Sequence, residues 1–111
     1  MTPLPEADLY RPLLAATLAR AAAAADDLAV ICLCAAWCRT CDGYQQVFDA
    51  VAASHPGLAF RWLDIEDEAR EIDDIDVQTF PTLIIGNARQ VRFAGPVLPQ
   101  AAHLEKLLRG L

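Results

Sequence analysis

The sequence predicts an α/β domain: a central mixed β-sheet of about four strands with helices on both faces. Three observations predict it. Residues 28–35 are continuously apolar, as in a strand buried on both sides. Helical periodicity appears three times, over about 12–25, after Cys41 and over 99–108. Shorter strand-like runs at 58–65, 82–85 and 89–94 fall between the helices, the order that lays helices across a sheet. With 111 residues the chain reads as one domain, 1–111.

Each element has its own warrant. Residues 1–10 contain Pro3 and Pro5 and read as extended, with a short edge strand as one option. Pro12 suits the first position of a helix. That helix carries Leu13, Leu14, Thr17, Leu18 and Ala21 on one face and ends near Ala25, before Asp26 and Asp27. After the first strand, Tyr44, Val47, Phe48 and Val51 recur at helical spacing until His55-Pro56-Gly57 stops the run. Leu58–Ile65 reads as the second strand, and the acidic 66–74 as a short helix or turn. Thr82–Ile85 is the third strand, Gly86-Asn87 a hairpin turn and Arg89–Ala94 the fourth strand, closed by Gly95-Pro96. Pro99–Leu108 reads as a helix burying Ala102, Leu104, Leu107 and Leu108.

Composition excludes several functions. The net charge of −6 argues against nucleic acid or an anionic membrane surface as a partner. No apolar run reaches the roughly 18 residues of a membrane span. The alanine-rich start holds Glu6, Asp8 and Arg20, unlike a signal peptide with a basic start and an unbroken core, so a cytoplasmic location is expected. Oligomeric state is not legible; a monomer is the simplest expectation.

Chemistry is concentrated in Trp37-Cys38-Arg39-Thr40-Cys41. A buried strand leading into C-x-x-C at a helix start is the arrangement that makes a cysteine pair redox-active. Unpaired N–H groups and the helix dipole favour a thiolate at that end. Cys38 is the expected nucleophile and Cys41, one turn inside, the expected resolving thiol. Arg39 adds a positive charge beside Cys38, and Arg39 and Thr40 together are expected to tune it. Cys38 would attack a substrate disulfide to give a mixed disulfide, which Cys41 would resolve.

With these residues in view, the chain resembles the thioredoxin family. Three landmarks carry the resemblance in order: Trp37-Cys38-x-x-Cys41, Thr79-Phe80-Pro81-Thr82 and Gly95. It covers about Leu28 to Leu108. It implies a thioredoxin fold and a cis proline at Pro81. It also implies a substrate rim of Trp37, Phe80, Pro81, Gly95 and Pro96, on which an extended peptide adds as a strand at Phe80. The resemblance further implies a protein-disulfide reductase with no bound cofactor. Its working disulfide would be Cys38–Cys41, its substrates disulfide-containing proteins, and its electrons would come from NADPH through a flavin-dependent, thioredoxin-reductase-like donor.

The departures qualify that picture. Arg39-Thr40 stands where the family usually has Gly-Pro. Cys32 stands where the family usually has a buried Asp that assists proton transfer, and Cys34 where a Trp is common. The plain reading of Cys32 and Cys34 is two small buried residues in a strand. The sharper one is a secondary redox pair, or oxidation relayed from Cys41 to Cys32. Alternation puts Cys32 and Cys34 on one face, but such α-carbons lie about 6.5–7 Å apart, at the edge of disulfide range. A four-cysteine zinc site is disfavoured because a strand running into a helix splays the side chains, so no metal is assigned. Two other functions remain open: a binding or assembly module that docks one partner on the same rim, and a disulfide isomerase or oxidant.

Overall fold

The computed structural model describes residues 7–20, 28–35, 38–65, 80–87, 89–97 and 100–110. The elements run α1 (Ala7–Arg20), β1 (Ala29–Cys34), α2 (Arg39–Ser54), β2 (Ala59–Asp64), β3 (Thr82–Gly86), β4 (Val91–Pro96) and α3 (Ala101–Arg109). The strands form one mixed sheet in the order β2-β1-β3-β4. β1 and β2 are parallel; β1–β3 and β3–β4 are antiparallel. Helix α2 supplies the crossover that the parallel pair needs.

β1 organises the layers. All six of its residues are buried, and alternation sends them to opposite faces. Ala29, Ile31 and Leu33 pack with Leu13 and Leu14 of α1, Leu63 of β2 and Ile84 of β3. Val30, Cys32 and Cys34 pack on the other side with α2 and α3, through Cys41, Tyr44, Phe48, Leu104 and Leu108. The continuous apolar run in the sequence is thus a strand covered twice, as expected. Tyr44 and Phe48 reach across α2 to Trp62 of β2, with ring centroids 6.4 and 5.7 Å away. At the far end of α2, His55 pairs with Glu105 of α3 at 3.0 Å.

Several boundaries differ from the sequence reading. Residues 7–10 are helical, not extended, and Pro12 lies inside α1 instead of opening it. An internal proline costs the helix one backbone bond. The buried side chains that follow it, Leu13, Leu14 and Thr17, anchor the helix to the sheet. Thr17 stays satisfied, its Oγ1 donating to the Leu13 carbonyl at 2.9 Å. The expected end of this helix (21–25) and the acidic segment 66–74 lie outside the described residues.

β4 runs through Gly95 and Pro96 instead of stopping at Ala94, and begins at Val91 instead of Arg89. Pairing explains the shift. Asn87 closes the turn: its side-chain oxygen accepts from the amides of Arg89 and Gln90, and its own amide donates to the Gln90 carbonyl. Thr82 then faces Pro96 and Leu83 faces Gly95. Pro96 is tolerated because β4 is an edge strand. In α3, Leu104 and Leu108 are buried, but Ala102 is exposed, against expectation. The helix begins at Ala101 behind its N-cap Gln100, a register that turns Ala102 outward.

Candidate active site

The site is built where β1 ends and α2 begins. Cys34 is the last residue of β1, and its carbonyl accepts the Ile65 amide at 2.9 Å, fixing it to β2. The Cys38 amide donates to the Ala35 carbonyl at 3.0 Å. Cys38 is the N-cap of α2, with extended backbone. Its carbonyl accepts from the amides of Cys41 and Asp42 at 3.1 and 3.3 Å, which winds the first turn. The helix therefore starts at Arg39, earlier than Asp42, and Cys41 lies within its first turn.

That geometry sorts the four cysteines. Cys38 is half-buried at the helix start and is a free thiol. Cys41 points into the core and is 2% exposed. The Cys41 sulfur is bonded to Cys34, not to Cys38. The pairing in this structure thus differs from the expected Cys38–Cys41 disulfide. The reason is the register of the β1–α2 junction: the inner face of the first helical turn lies over the end of β1. The α-carbons of Cys34 and Cys41 are 5.7 Å apart, within the usual disulfide range. Cys38, as the cap, stands at the outer edge of the same turn.

Cys32, two residues back on the same face of β1, is a buried free thiol. Its sulfur lies 3.7 Å from that of Cys34. Cys34 is in a disulfide, so the Cys32 S–H is the donor. Burial pushes the Cys32 thiol far above its ordinary range, so it stays protonated. Tyr44 packs in the same cluster and is itself pushed up, first by burial and then by the neighbouring Cys32. Among the described residues the Tyr44 hydroxyl has no hydrogen-bond partner.

The remaining sequence candidates fall around this core. Arg39 and Thr40 open α2 and are exposed. The Phe80–Pro81 peptide is cis; Pro81 is buried, and its carbonyl accepts the Val97 amide at 3.1 Å. Phe80 and Cys38 are both half-buried and pack on the cluster that contains Cys34 and Cys41. Gly95 is half-buried on β4, opposite Leu83. Trp37 and Thr79 lie outside the described residues. Among the described residues no group of three His, Cys, Asp or Glu is placed to hold a metal ion, and no helix is long and apolar enough to cross a membrane. The clefts beside His55 and beside Arg92 and His103 are lined by no cysteine. The described site is a half-buried thiol over buried sulfurs.

The sequence reading passed over Cys34 as the partner of Cys41. A signal was present: Cys34 ends the apolar strand and shares its face with Cys32, so it must lie beneath whatever the following helix turns inward.

A mixed sheet with helices on both faces, carrying reactive cysteines at a strand-to-helix junction, defines a thiol-disulfide redox protein. Residues 12–109 match the family described as Thioredoxin, and the chain belongs to the thioredoxin family. Solved structures agree on the fold. Mitochondrial thioredoxin 3 from Saccharomyces cerevisiae, in its oxidized form, is 22% identical, with a TM-score of 0.67 over 88% of this chain and 92% of that one. The germline-specific thioredoxin Deadhead from Drosophila melanogaster is 18% identical, with a TM-score of 0.70 over 84% and 89%. Thioredoxin from Fasciola hepatica is 20% identical, with a TM-score of 0.64 over 74% and 79%. No match to a curated protein was found at the sequence level.

Proposed function

We propose that this protein is a thiol-disulfide oxidoreductase that reduces protein disulfides, with Cys38 as nucleophile and Cys41 as resolving thiol. The observation that carries the reading is the position of Cys38: a free, half-buried thiol at the N-cap of α2, one helical turn from a buried cysteine. Cys38 sits at the end of α2 where unpaired backbone N–H groups and the positive end of the helix dipole lie, beside exposed Arg39. Thr40 tunes the pair from inside the motif.

In the fully reduced protein the Cys38 thiolate attacks one sulfur of a substrate disulfide. A Cys38–substrate bond forms and the other substrate sulfur leaves as a thiolate. Cys41 then loses its proton and attacks the Cys38 sulfur, and the second substrate thiolate leaves. The substrate has gained two electrons and two protons, and the protein holds a Cys38–Cys41 disulfide. Half-buried Phe80 and Gly95, beside the buried Pro81, form the rim that receives the substrate, and the family resemblance adds Trp37 to it. No bound cofactor is needed; NADPH, acting through a flavin-dependent reductase, restores the dithiol. A device that must return to the dithiol after each turnover suits the reducing cytoplasm, and one domain suffices as a monomer.

Replacing Cys41 with serine tests this reading. The variant is expected to accumulate mixed disulfides on Cys38 when exposed to cell extract, released by reductant and absent when Cys38 is also replaced. Several trapped proteins would mark a general reductase. A single one would mark a dedicated reductase. The absence of any covalent adduct would sink the reading.

A further inference from the structure

The reading above leaves Cys34 without a task, yet Cys34 is bonded to the resolving thiol. While that bond stands, Cys41 cannot resolve anything. The bond is also sealed: Cys34 is 1% and Cys41 2% exposed, between β1 and the inner face of α2. A dissolved thiol or a reductase cannot reach either sulfur without opening the fold. Some thiol of the chain itself must open it.

Cys32 and Cys38 are the chain's two remaining thiols. Cys32 is close, 3.7 Å from the Cys34 sulfur, but it is poorly suited to attack. Burial keeps it protonated, and thiolates are the attacking species. A Cys32–Cys34 bond would also have to span i and i+2 of a strand, at the edge of disulfide geometry. Cys38 has neither handicap. It is half-exposed at the N-cap of α2 and packs against the cluster that holds both bonded sulfurs. One turn of helix brings its α-carbon to about 5–5.5 Å from that of Cys41, also within disulfide range.

We propose that Cys34 is a third exchange cysteine, so that Cys41 holds the oxidised state of the protein in either of two disulfides. In Cys34–Cys41 the oxidation is stored out of reach. In Cys38–Cys41 it is presented at the surface. The interconversion is an internal exchange. The Cys38 thiolate attacks the Cys41 sulfur, the Cys38–Cys41 bond forms, and the Cys34–Cys41 bond breaks with its electron pair on Cys34. Cys34 leaves beside the Cys32 S–H, which already donates to it, and takes up the proton that Cys38 lost. No oxidant or reductant is consumed. The exchange shares Cys38 with the reductase reading but involves no substrate. A reductase meeting the stored form would find only the Cys38 thiol at the surface.

The test uses the full chain, oxidised with diamide, as wild type, Cys38→Ser and Cys34→Ala. Serine is a favoured helix N-cap and alanine is small and apolar, so both variants retain the local packing. Trypsin cuts after Arg39 and separates Cys41 from the other three cysteines, and fragmentation after alkylation of free thiols identifies its partner. Wild type is expected to contain both Cys34–Cys41 and Cys38–Cys41, Cys38→Ser only the former and Cys34→Ala only the latter. With a water-soluble phosphine as reductant, the Cys38→Ser disulfide should open at least about tenfold more slowly than that of wild type, a difference that vanishes in denaturant. A Cys41 that never pairs with Cys34 in wild type or Cys38→Ser would overturn the proposal, as would equal opening rates in the folded proteins. If the exchange is seen but no substrate disulfide is reduced, the reductase reading fails alone. If substrates are reduced and Cys34 stays free, the exchange fails alone.

Discussion

Cys34 and Cys41 are bonded across the β1–α2 junction with α-carbons 5.7 Å apart, tying the central strand to the helix that carries the surface thiol Cys38. The bond closes a short loop of separation seven. By the chain-entropy relation such a short loop is worth about 2.5 kcal/mol of stability, less than a long loop would give.

Burial of Cys32 has a consequence for stability. Its thiol is pushed far above the ordinary range, so the folded chain keeps a proton that the unfolded chain releases. Stability is full below about pH 8.5 and falls as pH rises beyond it, by at most about 1.4 kcal/mol per unit from this group. Cys32→Ala should flatten that part of the profile between about pH 8.5 and 10, leaving the share of Tyr44 above pH 10, since its phenol is raised as well. Urea midpoints across pH would reveal this; identical alkaline slopes in the two proteins would refute it.

The Tyr44 hydroxyl is buried, and among the described residues it has no partner. Removing an unsatisfied polar group while keeping the ring should cost nothing. Tyr44→Phe is expected to match or exceed the wild type by about 1 kcal/mol in chemical denaturation. A loss of that size instead would mean that the hydroxyl is engaged.

Gly86 begins the β3–β4 hairpin at a φ of 156°, beside a register shift in the ladder. A β-carbon there would run into the Gln90 carbonyl oxygen. Gly86→Ala should therefore lower stability by about 1–3 kcal/mol, through backbone that must move. Thermal unfolding checks it, and an unchanged midpoint would contradict the hairpin geometry.

Leu14 is fully buried between α1 and the sheet. Leu14→Ala should cost about 2–5 kcal/mol. The cysteine cluster belongs to the opposite layer, so alkylation rates of Cys38 in the folded variant should stay as in wild type. A large change in those rates would show that the two layers are coupled.

Much of the fold was legible because β1 is uniformly apolar and the α2 face recurs through Tyr44, Phe48 and Val51. Boundaries were less legible where tertiary packing outweighs local signals. Pro12 marks a helix start by propensity, but Tyr10 before it and Leu13 and Leu14 after it pack against the sheet-side core and hold the helix on both sides. Gly95-Pro96 marks a strand end by composition, but cross-strand pairing with Thr82 and Leu83 extends β4 through it. At the site, C-x-x-C correctly marked a cysteine at the start of a helix. The partner of Cys41 was legible only in part: the apolar strand puts Cys34 on the inner face, but how far the helix turns over the strand end is a rotation that spacing alone does not encode.

The most direct measurement compares wild type with Cys38→Ser in the reduction of a model protein disulfide, such as insulin, with NADPH and a thioredoxin reductase supplying electrons. The account predicts turnover by wild type and a loss of about 1,000-fold or more on removal of the Cys38 sulfur. Turnover retained by Cys38→Ser would contradict it.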